Sequence, residues 1–128
     1  MASGDGENAE IVRRIYASFL ARDEGAAELI DSEIEWDTRG IDIPGLSNLY
    51  RGIDGVVAFW EQWLDAWEQL DFDFSDPIEL RDGRVVIVVR GQRNLGRGTG
   101  MWVEMPPYEM VWTLRDGKAV GMRLRTFD

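Results

Sequence analysis

The hydrophobic period of this chain changes for good at Asp71. Before it, apolar residues recur mainly at helical spacing; after it, they alternate. Ile11, Val12, Ile15 and Phe19 predict a helix over Asn8–Ala21 with Asn8 as its N-cap, and Ala26–Ile30 predicts a second, short one. A third is predicted over Ile53–Leu70. Val56, Trp60, Trp63, Trp67 and Leu70 share its apolar face, and Glu61, Asp65 and Glu68 lie mostly opposite. Between these helices Ser32–Asp37 alternates as a strand, and Thr38–Gly52 reads as an irregular pocket rim. Beyond Asp71, strands are predicted near Asp71–Leu80, Arg84–Leu95, Thr99–Leu114 and Ala119–Phe127. Asp82-Gly83 and Asp116-Gly117 supply hairpin turns, and Pro106-Pro107 forces a bulge or bend in the third run. Helices followed by an antiparallel meander imply an α+β fold, a curved sheet with helices on one face. A length of 128 residues fits one domain, expected over 8–128 behind a loose polar arm at 1–7.

Two absences narrow the chemistry. Without Cys there is no disulfide framework, thiol nucleophile or thiolate metal site. Without His there is no Ser-His-Asp triad and no imidazole acid/base or metal ligand. Catalysis would fall to carboxylates, Tyr, Arg, Lys, amides or hydroxyls. Asp71, Asp73 and Asp76 read as a solvated strand start, and Gly96–Gly100 lacks the lysine and helix of a phosphate loop. No metal and no cofactor are expected. The net charge of −10 is unevenly placed: residues 1–70 hold 15 acids and 5 bases, residues 71–128 nine of each. So acidic a first half argues against nucleic acid and membrane as partners. The longest apolar run, Val85–Val89, is too short to cross a bilayer, no targeting segment is visible, and a cytoplasmic location is the expectation.

Three segments carry a resemblance. Tyr50-Arg51-Gly52-Ile53-Asp54-Gly55-Val56 opens the Trp-rich helix, Gly96-Arg97-Gly98-Thr99-Gly100 forms a glycine-rich hairpin, and Val111-Trp112-Thr113-Leu114-Arg115-Asp116-Gly117-Lys118 forms a strand and turn. In this order and spacing they resemble the SnoaL-like branch of the nuclear transport factor 2-like superfamily over residues 8–128. The resemblance implies a cone-shaped roll around three N-terminal helices, with a pocket between the helices and the concave sheet face. It also implies a homodimer through the convex face, where Tyr108, Met110 and Trp112 are expected beside Arg123, Arg125 and Phe127.

That superfamily includes ketosteroid isomerases, polyketide cyclases, epoxide hydrolases and members with no known reaction, so the residues must decide. For isomerase or cyclase chemistry the candidates are Glu109 as a buried acid, Asp37 as base and Tyr16 as hydrogen-bond donor. Glu109 and Val111 are expected to face the pocket with Trp36, Trp60, Trp63, Arg90, Gln92, Met122 and Asp128. The epoxide-hydrolase pattern needs a carboxylate where this chain has Gln92, within Arg90-Gly91-Gln92, which disfavours that activity. Two readings stay open. One is an enzyme acting on a small apolar oxygenated ligand by carboxylate chemistry. The other is a non-catalytic ligand-binding or dimeric interaction domain.

Overall fold

The computed structural model describes residues 7–21, 25–41 and 48–126. Its elements are α1 (Glu7–Ala21), a 3-10 turn (Gly25–Leu29), β1 (Ile30–Asp37), β2 (Leu49–Arg51), α2 (Gly52–Ala66), β3 (Trp67–Phe74), β4 (Ile78–Glu79), β5 (Val85–Gly96), β6 (Trp102–Met105), β7 (Tyr108–Arg115) and β8 (Lys118–Thr126). The strands form one sheet of order β2-β1-β8-β7-β5-β3, with β4 and β6 also pairing to β5. Every pairing is antiparallel except β1 with β8. The predicted α+β roll is therefore present, with a 3-10 turn in place of the second helix. The two helices pack on the concave face, and a single core joins Val12, Ile15, Trp36, Trp60, Trp63, Ile87, Met110 and Trp112.

Three local features differ from the sequence reading. First, α2 stops at Ala66 rather than Leu70, so Trp67 and Leu70 belong to β3. Arg97 explains the stop. Its guanidinium donates to the carbonyls of Asp65 at 3.0 Å and Trp67 at 2.9 Å, and its amide donates to that of Ala66 at 3.0 Å. These are the orphan acceptors that a helix C-terminus leaves, and a cation there also suits the helix dipole. Second, a bulge interrupts β5. Asp73 opposes Gly91 and Phe74 opposes Val89, which leaves Arg90 as the extra residue. The bulge shifts the inward set from Val85, Ile87 and Val89 to Gln92 and Asn94. Third, the run read as one bent strand over Thr99–Leu114 is two strands, β6 and β7, separated at Pro106-Pro107. The Asp116-Gly117 hairpin forms as expected, with φ of 53° and 79° at its two central residues.

Gly40 sits where the chain leaves β1 beside β8. A methyl group built on it would run into the backbone carbonyl of Leu124. Gly91, at the bulge, has open space at the same position. Gly40→Ala should therefore lower stability by about 2 kcal/mol or more, the scale of overpacking against a rigid backbone. Gly91→Ala should stay within about 0.5 kcal/mol of the parent. Urea unfolding midpoints of the two variants check the contrast.

Candidate functional site

The concave face of the sheet and the two helices enclose a small cavity. Its wall comes from Tyr16 on α1, Trp36 and Thr38 at the end of β1, Phe59, Trp60 and Trp63 on α2, Phe72 on β3, Tyr108 and Met110 on β7, and Met122 and Leu124 on β8. The free volume is about 40 Å³. Aromatic rings set its shape. Trp36 meets Trp112 at 5.3 Å between centroids and Trp60 at 6.2 Å, and Tyr16 stands edge-on to Trp60 at 6.0 Å. The Tyr16 hydroxyl points at the Met110 sulfur.

Behind Tyr108 runs a buried polar chain. The Tyr108 hydroxyl donates to Gln92 Oε1 at 2.5 Å, Gln92 Nε2 donates to Asn94 Oδ1 at 3.0 Å, and Asn94 Nδ2 reaches the Met105 sulfur at 3.4 Å. Each amide nitrogen carries two N–H groups, and only one on each is used among the described residues. The indole N–H groups of Trp36, Trp60, Trp67 and Trp112 are also buried with no acceptor among the described residues. The interior thus presents donors and hardly any charge. Burial pushes the phenols of Tyr16 and Tyr108 well above their ordinary range, so both stay neutral.

The structure brings Tyr16, Trp36, Trp60, Trp63 and Met122 together at this cavity, with Gln92 one step behind. It moves four others out. Glu109 and Val111 were expected inward; they point to the convex face instead. Their neighbours Tyr108, Met110 and Trp112 take the interior rather than the convex face. The cause is strand parity, because one residue on a strand separates the two faces. On the outside Glu109 pairs with Arg125. Asp37 also faces out, beyond the inward Trp36. Its carboxylate is held below the usual range chiefly by hydrogen bonding to the Arg39 side chain at 2.9 Å. Arg90, the bulge residue, is exposed and pairs with Asp73 at 2.8 Å. Asp128 and Phe127 lie outside the described residues. The sequence reading missed Tyr108, Met110 and Asn94. Size was the available signal, since Tyr108, Met110 and Trp112 outweigh Glu109, Val111 and Thr113 in apolar volume.

A second, larger hollow lies on the helical side. It holds about 820 Å³ between the end of α1, the 3-10 turn and α2, and Trp60 and Phe19 form part of its floor. Those two rings lie 4.8 Å apart, and Trp60 lines both spaces.

Comparison with known proteins agrees with this architecture. No curated protein matches the chain. Among solved structures, TerC co-crystallized with polyporic acid is 26% identical with a TM-score of 0.75, covering 94% of this chain and 92% of TerC. Bal32a, from a soil-derived mobile gene cassette, is 23% identical with a TM-score of 0.81, covering 98% and 93%. A protein described as a SnoaL-like polyketide cyclase, from Jannaschia sp. CCS1, is 18% identical with a TM-score of 0.76, covering 97% and 88%. The latter two likenesses speak to the fold alone. The SnoaL-like domain family matches residues 12–122, nearly the whole described fold, and the chain belongs to that family.

Proposed function

We propose that the protein binds a small, uncharged, apolar molecule with acceptor oxygens in the cavity between its helices and the concave sheet face. The observation that carries this reading is the wall itself. The wall includes Trp36 and Trp60, whose indole N–H groups have no acceptor among the described residues, and Tyr108, which heads the chain to Gln92 and Asn94, and no lining residue is a carboxylate or a cation. A carbonyl or ether oxygen would satisfy those donors, whereas a charged ligand would enter without a counter-ion. Carboxylate acid/base turnover loses support, because Glu109 and Asp37 stand outside in ion pairs. Binding without such chemistry is the reading favoured here. A cavity of about 40 Å³ holds no more than a water or so, so a ligand must displace side chains. Met110 and Met122, unbranched and adaptable, are the wall residues best suited to move.

Acetophenone, an uncharged aromatic ketone with one acceptor oxygen, serves as a first probe. Its titration should quench the interior tryptophans. Tyr108→Phe should weaken binding about tenfold, the weight of one hydrogen bond to a buried acceptor. Glu109→Gln should leave the affinity unchanged, and a large loss in that variant would restore a role for the carboxylate.

The neutral interior also has a pH signature. Phenols whose folded pKa exceeds the unfolded value of about 10 favour the folded state below that pH, and their contribution fades as pH rises through the folded value. Absorbance at 295 nm should therefore show Tyr16 and Tyr108 ionising only as the chain unfolds in strong alkali.

For the convex face we propose a homodimer on a corrected set of residues. Val88 is half-buried there beside Val86 and Val111, which the single chain already covers, and Glu109, Arg123 and Arg125 border them. That mixture suits an interface more than a solvated surface. Sedimentation at micromolar concentration should give about twice the chain mass of 14.6 kDa, and Val88→Arg, at a half-buried position, should return it to a single chain.

A further inference from the structure

We infer that the outer groove between α1, the 3-10 turn and α2 is a second binding site, one that takes a small apolar cation such as an amine or quaternary ammonium on a hydrocarbon body. Its volume of about 820 Å³ lies within the range of small-molecule sites. The floor is apolar: Phe19, Ile53, Val56, Trp60 and Leu64 line it, together with Val57, whose side chain is 45% exposed. Among the described residues, the charged side chains lining it are three carboxylates, Glu28, Glu61 and Asp65. None of the three has an ion-pair partner among the described residues, although seven such pairs are formed elsewhere on the surface.

Glu61 and Asp65 are four residues apart on α2, so they lie one turn apart along the same edge of the groove. Leaving two like charges there unpaired costs a little helix stability. A cation seated between them removes that cost, and its hydrocarbon body covers Val57. The wider charge distribution acts in the same direction. The half of the chain that builds this side carries the whole net charge of −10, while the half that builds most of the sheet is balanced. Such a field raises the local concentration of cations and repels anions. This site differs in kind from the inner cavity, whose wall is uncharged, and Trp60 divides the two.

Three cage compounds of one shape test the inference: adamantan-1-amine, which is protonated at neutral pH, adamantan-1-ol and adamantane-1-carboxylate. Methyl resonances of Val57 and Leu64 report on the groove, and those of Met110 and Met122 report on the inner cavity. The amine should shift the Val57 and Leu64 methyls saturably and bind about tenfold tighter than the alcohol, a difference of roughly 1.4 kcal/mol. The carboxylate should not bind. The preference should shrink as salt rises and vanish in the Glu61→Gln/Asp65→Asn variant, whose changes are on exposed positions and leave the core intact. Val57→Trp, which fills the groove, should abolish these shifts while the Met110 and Met122 responses to acetophenone persist. Equal binding of amine and alcohol, preference for the carboxylate, or silence of the Val57 and Leu64 methyls with all three compounds would overturn the inference.

Discussion

The fold turns on one aromatic junction. Trp36 of β1 touches Phe19 of α1 at 5.8 Å, Phe59 and Trp60 of α2 at 5.8 and 6.2 Å, and Trp112 of β7 at 5.3 Å. Here the two helices and two sheet strands, far apart in sequence, meet through a single side chain. Edge-to-face rings fix orientation as well as distance, because the ring quadrupole disfavours other arrangements. The junction therefore sets how far the helices stand off the concave face, and with it the volume of the inner cavity. The four unpaired indole N–H groups belong to the same cluster or its flank. Fully buried polar groups are usually satisfied, so the core accepts a polar cost for its aromatic packing. That cost is what makes the interior receptive to an acceptor oxygen.

Much of this architecture was legible from periodicity. The helical stripe of Val56, Trp60 and Trp63, the alternation after Asp71 and the Asp-Gly turns each correspond to an element with an obvious local cause. The interior was less legible, for a physical reason. In β7 both faces carry apolar residues, so alternation alone cannot say which is inward. Motif resemblance favoured Glu109 and Val111, but burying the larger set of Tyr108, Met110 and Trp112 removes more apolar area from water, and the structure follows the area. A carboxylate at Glu109 facing that wall would have met desolvation with no cation at hand.

In β5 the difficulty was the bulge at Arg90. Before it the odd-numbered residues face inward, and after it the even-numbered ones do, so no single parity describes the strand. Gly91 in mid-strand was the one local hint. The end of α2 was less readable still, because its cause lies some thirty residues away. Arg97 takes up the carbonyls of the last turn, and nothing in the run from Trp63 to Leu70 announces that contact. Local propensity would carry the helix onward; the hairpin stops it.

Gln92 shows why an uncharged interior can still be ordered. A carboxylate at this position could only accept hydrogen bonds, and with Asn94 beside it and no cation facing it, its charge would be costly. The amide accepts from Tyr108 with its oxygen and donates to Asn94 with its nitrogen, so one neutral group joins the phenol to the next amide. The chain of dipoles has a direction, starting at a hydroxyl on the cavity wall. An acceptor placed at that wall competes with Gln92 for the Tyr108 proton or takes an N–H that the amides have left over. Discrimination in the inner cavity then rests on shape and on where the acceptor sits, and it does not change across neutral pH, since no lining group titrates there. The outer groove works by the opposite rule, with exposed carboxylates whose influence falls with salt. Trp60, shared by both walls, keeps a medium of fixed dipoles apart from one of screened charges within a single small domain.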